Sequence, residues 1–248
     1  MSYLFYLFFA ILPGIIWLLF YLRKDSHPES NRMVIKIFFY GMLAAFLAIF
    51  LELGIFAFFK DLKFSPALAI VLNIFLGVAL VEEILKYLVV KQKVLSHSEF
   101  DEPVDVMLYM IIAALGFATL ENILIFFQFG PQFLWEKALG ISIFRFWGAT
   151  FLHTLTSGFI GYFLALSLRK RKDGIKLLSA GIAASVIFHG LYNLSISNAA
   201  LIYIPSHITI DIKDEIGFII PIIILTTLAI FVFAGFRKLK KLKSVCKI

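Results

Sequence analysis

Seven mostly apolar stretches, each about 20 residues or longer, divide this chain. About 20 such residues are what a helix needs to cross a hydrocarbon core roughly 30 Å thick. They run Tyr3–Leu22, Val34–Phe59, Ala67–Val90, Val104–Phe129, Ala138–Leu168, Gly174–Ser197 and Glu215–Phe236. Backbone amides find no water in lipid, so each stretch is predicted to be a helix. The expected fold class is all-α, a polytopic transmembrane bundle of about seven spans. With 61% hydrophobic and only 16% charged residues, a water-soluble domain of this size could not hide its apolar surface. Residues 1–248 read as one integral membrane domain with no soluble segment large enough to do chemistry. The first stretch reads as an uncleaved span rather than a signal peptide, because no basic residues precede it and Arg23-Lys24 follow it.

The basic residues are distributed unevenly. Fifteen Lys and Arg gather at one set of helix ends, including Arg23, Lys24, Arg32, Lys91, Lys93, Arg169 to Lys172 and the C-terminal tail. Only Lys60, Lys63, Lys137 and Lys213 lie at the other set. Cytoplasmic loops carry the excess of Lys and Arg, so the N-terminus is expected outside and the C-terminus in the cytoplasm. The formal charge of +7 is then explained by headgroup proximity, and no nucleic-acid partner is expected. The single cysteine, Cys246, leaves no partner for an intrachain disulfide and is not placed for prenylation.

Against this apolar background the ionisable side chains stand out. Glu82, Glu83, Lys86, Glu121, His153 and His189 all fall within predicted spans. A charged group at mid-bilayer costs about 2.5–3.5 kcal/mol on insertion scales, so such residues are functional candidates by default. Glu82 and Lys86 are four apart and share a helix face. Two adjacent carboxylates exceed what one ion pair needs, so one Glu can activate water while the other positions groups around it. The bland alternative is a charge cluster snorkelling at the end of the span. Glu121 lies too deep for that, and its alternative is a structural hydrogen bond to a neighbouring helix. In the fifth span Thr150, Thr154, Ser157, Gly158 and Gly161 form a stripe of small residues, which reads as helix packing. His153, beside that stripe, needs partners for both ring nitrogens. Arg145 sits near the outer end and can snorkel. His189 and Asn193 are one turn apart on one face, where an imidazole and an amide can stabilise an oxyanion. Glu52 reads as interfacial or helix-pairing, and His27, His97 and His207 fall in loops.

Four motifs thus stand in order. They are Glu82-Glu83-x-x-Lys86, Phe117-x-x-x-Glu121-Asn122, Arg145 followed by His153 and Gly158-x-x-Gly161-Tyr162, and His189-x-x-x-Asn193. Over Glu82 to Asn193 this order resembles the PrsW family of intramembrane proteases. That family is grouped with the CAAX-processing and bacteriocin-processing membrane proteases and with the gamma-secretase subunit APH-1. The resemblance implies a general base at Glu82, with Glu83 as the alternative, and membrane-anchored protein substrates. Glu121 stands where the CAAX-processing relatives usually carry His, which points to the PrsW branch. Asn193 stands where many PrsW-like sequences carry Asp.

The expected function is peptide hydrolysis in a prokaryotic cell membrane. Glu82 or Glu83 would activate water, His189 with Asn193 would hold the oxyanion, and Glu121 and His153 would complete the site. No Ser or Cys is placed beside a His for covalent catalysis. Glu121, His153 and His189 would make a two-histidine, one-carboxylate zinc set, but no contiguous His-Glu-x-x-His motif is present. The expectation is no firmly bound metal, with zinc as the alternative. Two other classes compete. A non-catalytic scaffold like APH-1 would use the motif residues for packing. A proton- or ion-coupled transporter would show broken helices and inverted repeats, neither of which is visible in the sequence.

Overall fold

A computed structural model describes residues 3–23, 29–97, 100–129, 135–170, 172–199 and 214–242. Pro205, the histidines His27 and His207, and Cys246 lie outside the described residues. Among the described residues, seven helical spans are long and apolar enough to cross a membrane. They cover the seven stretches expected from sequence, and the fold is an all-α membrane bundle.

The spans are α1 (Tyr3–Leu22), α2 (Asn31–Asp61), a composite third span, α5 (Pro103–Phe129), a broken fifth span, α8 (Gly174–Ala199) and α9 (Asp214–Leu239). The third span joins α3 (Pro66–Leu72) through a π-helical stretch, Asn73–Ala79, to α4 (Leu80–Lys93). The fifth consists of α6 (Trp135–Trp147) and α7 (Ala149–Arg169), interrupted at Gly148. Ser30 caps α2 by accepting from the Met33 N–H at 3.2 Å. Ser65 and Pro66 start α3 in the same manner, with Pro66 in the first turn where its missing N–H is harmless.

α5 is the central helix. From Val104 to Ala118 its apolar side chains are buried on every side, and it packs most extensively against α7, α2 and α1. α2 shows how lipid reverses the pattern of a soluble helix. Its buried face carries small residues (Gly41, Ala44, Ala45, Ala48), while Phe39, Leu43, Phe46 and Phe50 face outward. In lipid the gain comes from close helix contact rather than from hiding large apolar groups. That contact is tightest at two glycines. A Cβ on Gly41 would overlap the carbonyl of Ala113, and one on Gly116 would overlap the carbonyl of Phe38.

Two features depart from the sequence expectation. The third span is not uniformly α-helical, since the Leu80 N–H reaches back to Phe75 O. This i→i+5 turn adds a residue and rotates everything after it, including Glu82 and Glu83. Such π turns often mark functional sites. The fifth span, expected to be continuous, breaks at Gly148, where a Cβ would press on the Tyr192 hydroxyl and the Phe144 carbonyl. One of the two sequence grounds for disfavouring transport therefore does not hold.

The α2–α5 contact yields a prediction. Gly116→Ala should destabilise the protein by about 1–3 kcal/mol through overpacking. Gly54, around which a Cβ would meet nothing within 4 Å, should tolerate the same change. Thermal unfolding of both variants in detergent checks this, and equal midpoints would count against the close approach.

Candidate active site

The ionisable residues of four spans converge on one cluster. α4 carries Glu82, Glu83 and Lys86, all buried. The π stretch before it is followed by ordinary α-helix, so residues three and four apart align. Lys86 Nζ therefore reaches Glu83 Oε1 at 3.0 Å and Glu82 Oε2 at 3.3 Å. It also meets His153 Nδ1 of α7 at 2.7 Å and lies 4.5 Å from the Phe117 ring centroid. The aromatic residue of the Phe117-x-x-x-Glu121 motif thus serves as a cation–π floor for the ammonium.

The two glutamates are not equivalent. Besides Lys86, Glu83 Oε1 accepts from Thr156 Oγ1 at 3.0 Å and from His189 Nδ1 at 2.9 Å. Its Oε2 accepts from Ser157 Oγ at 3.3 Å. A carboxylate with four donors is locked in place. Glu82 is held more loosely. Among the described residues its hydrogen bond comes from Lys86 alone, and its Oε2 lies 3.7 Å from His153 Nδ1 and 3.8 Å from His189 Nε2. Glu82 also lines a cavity of about 220 Å³ together with Glu121, Arg145, His153, His189 and Asn193. At ~30 Å³ each, that is room for about seven waters.

The partners determine the histidine tautomers. An ammonium only donates, so His153 Nδ1 accepts from Lys86. Its Nε2 then carries the proton and donates to Glu121 Oε2 at 2.7 Å. Glu83 only accepts, so His189 donates from Nδ1 and a neutral ring presents an Nε2 lone pair toward Glu82. His189 can therefore donate to an oxyanion only once it is protonated at Nε2 as well.

Arg145 was expected near the membrane face, where it could snorkel. It turns inward instead. Its Nη2 reaches Glu121 Oε2 at 3.2 Å, and its Nε donates to Asn122 Oδ1. The Asn122 amide in turn donates to Ala10 O and Thr150 Oγ1, both at 3.2 Å. Sequence reading therefore missed Arg145, Asn122, Phe117, Thr156 and Ser157 as members of this network. Only the motif order hinted at the first three, and Ser157 was read as part of a packing stripe. Glu52 stands apart, lining a second cavity of about 240 Å³ beside the π stretch. Val78 lines both cavities.

The four motifs, carried on separate spans, thus meet around one cavity, and comparison with known proteins places the chain in a family. Residues 29–233 match the family described as PrsW family intramembrane metalloprotease. The chain belongs to the PrsW family. It is 32% identical to the protein named Protease PrsW of Geobacillus kaustophilus over 185 residues, covering 74% of this chain and 76% of the relative. It is 26% identical to Protease PrsW of Bacillus subtilis over 246 residues, covering 95% and 94%. Against Protease PrsW of Clostridioides difficile it is 25% identical over 190 residues, covering 74% and 76%. No solved structure matches it. The chain is thus an integral membrane protease of the PrsW family.

The family description names a metal, so the donor set has to be tested for one. Glu82, His153 and His189 offer ligand atoms within 4.8 Å of one another, a zinc-like combination. The carboxylate here is Glu82, where sequence reading had placed Glu121. Glu121 instead faces Arg145 and the far nitrogen of His153. The metal does not fit the cluster as it stands. The Lys86 ammonium already contacts two of the three donors, and His153 has no lone pair left over.

The Arg145–Glu121 pair is partly exposed to the cavity, at 14% and 27%. A double-mutant cycle of Arg145→Met and Glu121→Gln should show a coupling of about 1–3 kcal/mol in unfolding free energy. Additive single effects would mean that the pair contributes no mutual stabilisation.

Proposed function

We propose that this PrsW-family protease hydrolyses peptide bonds of membrane-anchored proteins with water activated by Glu82. The observation that supports it is the asymmetry of the two glutamates. Glu82 faces the cavity between two histidines, whereas Glu83 is bound by four donors and is not free to move a proton. Glu82 takes a proton from a cavity water, and the hydroxide adds to the scissile carbonyl carbon. The oxyanion is met by the Asn193 amide and by His189, which takes up a proton at Nε2 from the cavity water before the attack, keeps it through the cycle and is supported by Glu83 through Nδ1. The C–N bond then breaks and the leaving nitrogen takes the proton held by Glu82. Glu121 orients His153, and Arg145 balances the charge of Glu121.

The site lies deep in the bundle. His189 is about 22 Å along α8 from Gly174 and about 12 Å from Ser197, at 1.5 Å per residue. A substrate helix must therefore come in sideways from lipid. On this reading the motif-bearing core is 67–197, the N-terminus is outside, and the protein resides in the bacterial plasma membrane.

Two experiments test this. Co-expression with tagged single-span membrane proteins should give fragments with the parent, about 10²–10⁴-fold fewer with Glu82→Gln at equal abundance, and about 10²–10³-fold fewer with Asn193→Ala. Glu83→Gln should lower abundance as well as cleavage, because it disturbs the anchor. A folded Glu82→Gln variant that cleaves like the parent would remove Glu82 as the base. For orientation, the sole cysteine, Cys246, is a native probe. A membrane-impermeant maleimide should label it only after cells are opened, and labelling of intact cells would reverse the topology.

A further inference from the structure

We propose that Lys86 is a built-in cation. Its ammonium sits where a divalent metal would have to sit, and it keeps the Glu82–His153–His189 set free of metal. The inference concerns the cluster proposed above to hydrolyse peptides, and it takes only its location from that reading.

The geometry is that of a filled seat. Lys86 is buried with no exposure. An ammonium has three protons to give, and three acceptors lie around this one: His153 Nδ1 at 2.7 Å, Glu83 Oε1 at 3.0 Å and Glu82 Oε2 at 3.3 Å. The Phe117 ring stands 4.5 Å away. Two of the three acceptors are the donors that a metal would need, and His189 Nε2 is 3.8 Å from the shared Glu82 oxygen. Glu82 keeps further lone pairs, but His153 Nδ1 has only one, and while it is used by the ammonium it cannot also ligate an ion.

His153 has no second route. Its Nε2–H is committed to Glu121, so ligation through Nε2 would need a tautomer change and the loss of both present bonds. A metal displacing Lys86 would also leave an ammonium beside a dication in a buried site. That repulsion is large wherever water is scarce.

The ammonium does part of what a metal would do. It neutralises the paired glutamates, fixes the His153 tautomer and holds Glu82 facing the cavity. Its consequence differs from that of a metal, because Lys86 is joined covalently to the same helix turn as the carboxylates. Chelators cannot remove it, and divalent-ion supply cannot regulate it.

Lys86→Met keeps an unbranched apolar stem of similar length while freeing the His153 Nδ1 lone pair and Glu82. That would leave two histidines, one carboxylate and a fourth position open to the cavity, the usual form of an open zinc site. The purified full-length parent and Lys86→Met are each loaded with Co²⁺ alone, desalted, and assayed for bound metal and for the visible absorption of tetrahedral Co²⁺. The expected result is about one Co²⁺ per chain in Lys86→Met, lost when His189→Ala is added, and background metal in the parent. Stoichiometric Co²⁺ in the parent that depends on His189 would overturn the proposal, and so would a folded Lys86→Met that binds none. If Lys86→Met does not fold, Lys86→Gln takes its place under the same criteria, and the parent measurement decides without either variant. Neither readout depends on cleavage, so a failed cleavage assay would sink the hydrolysis reading and leave this one standing.

Discussion

The ion pairing of Lys86 with two glutamates is the interaction on which the rest of the site depends. A lone carboxylate cannot stay charged in hydrocarbon, and a lone ammonium cannot either. Placed one turn apart on α4 they satisfy each other, the surplus acceptors recruit Thr156 and Ser157 from α7 and His189 from α8, and the ammonium also donates to His153 of α7. The helices are therefore tied together through buried polar atoms inside their apolar spans. Buried polar networks of this kind are stabilising only when each member finds a partner. Here the half-satisfied member is Glu82, the carboxylate that faces the cavity.

Packing brings these groups into range. Small residues on α2 and glycines on α5 and α7 let backbones approach almost to contact. α5 is buried on all sides and serves as the post around which the site-bearing helices are arranged. It contributes Phe117, Glu121 and Asn122 from one motif. Phe117 is the floor under Lys86. Glu121 is the partner of His153 and Arg145. Asn122 braces Arg145 against α1. The π stretch and the break at Gly148 are local departures from regular helix beside this cluster. Ile74 and Val78, within the π stretch, line the cavity, so the irregular backbone also shapes its wall.

A transporter reading gains the broken fifth span but lacks the rest of its support. Membership of the PrsW family and the relatives named as proteases place the chain among hydrolytic enzymes. The family description includes a metal, and the cluster shows why the matter is subtle. The donor types suit zinc, and the cation already among them is a side chain.

The number and limits of the spans were legible in the order of residues alone, as were the side chains that had no apolar reason to be there. Both follow from transfer free energies, which are local and add along the chain, so no knowledge of partners is needed. Motif order then singled out Glu82, Glu121, His153, His189 and Asn193. Which glutamate faces the cavity emerged only from the folded bundle. So did the position of Glu82 between the two histidines, with Glu121 bonded to the far nitrogen of His153, the inward turn of Arg145, and the place of Lys86 at the cation's seat. Those facts depend on the rotation and register of each helix against its neighbours. Packing at Gly41, Gly116 and Gly148 and the extra residue of the π turn set that register, and hydropathy carries no trace of it because π and α turns here use the same apolar residues.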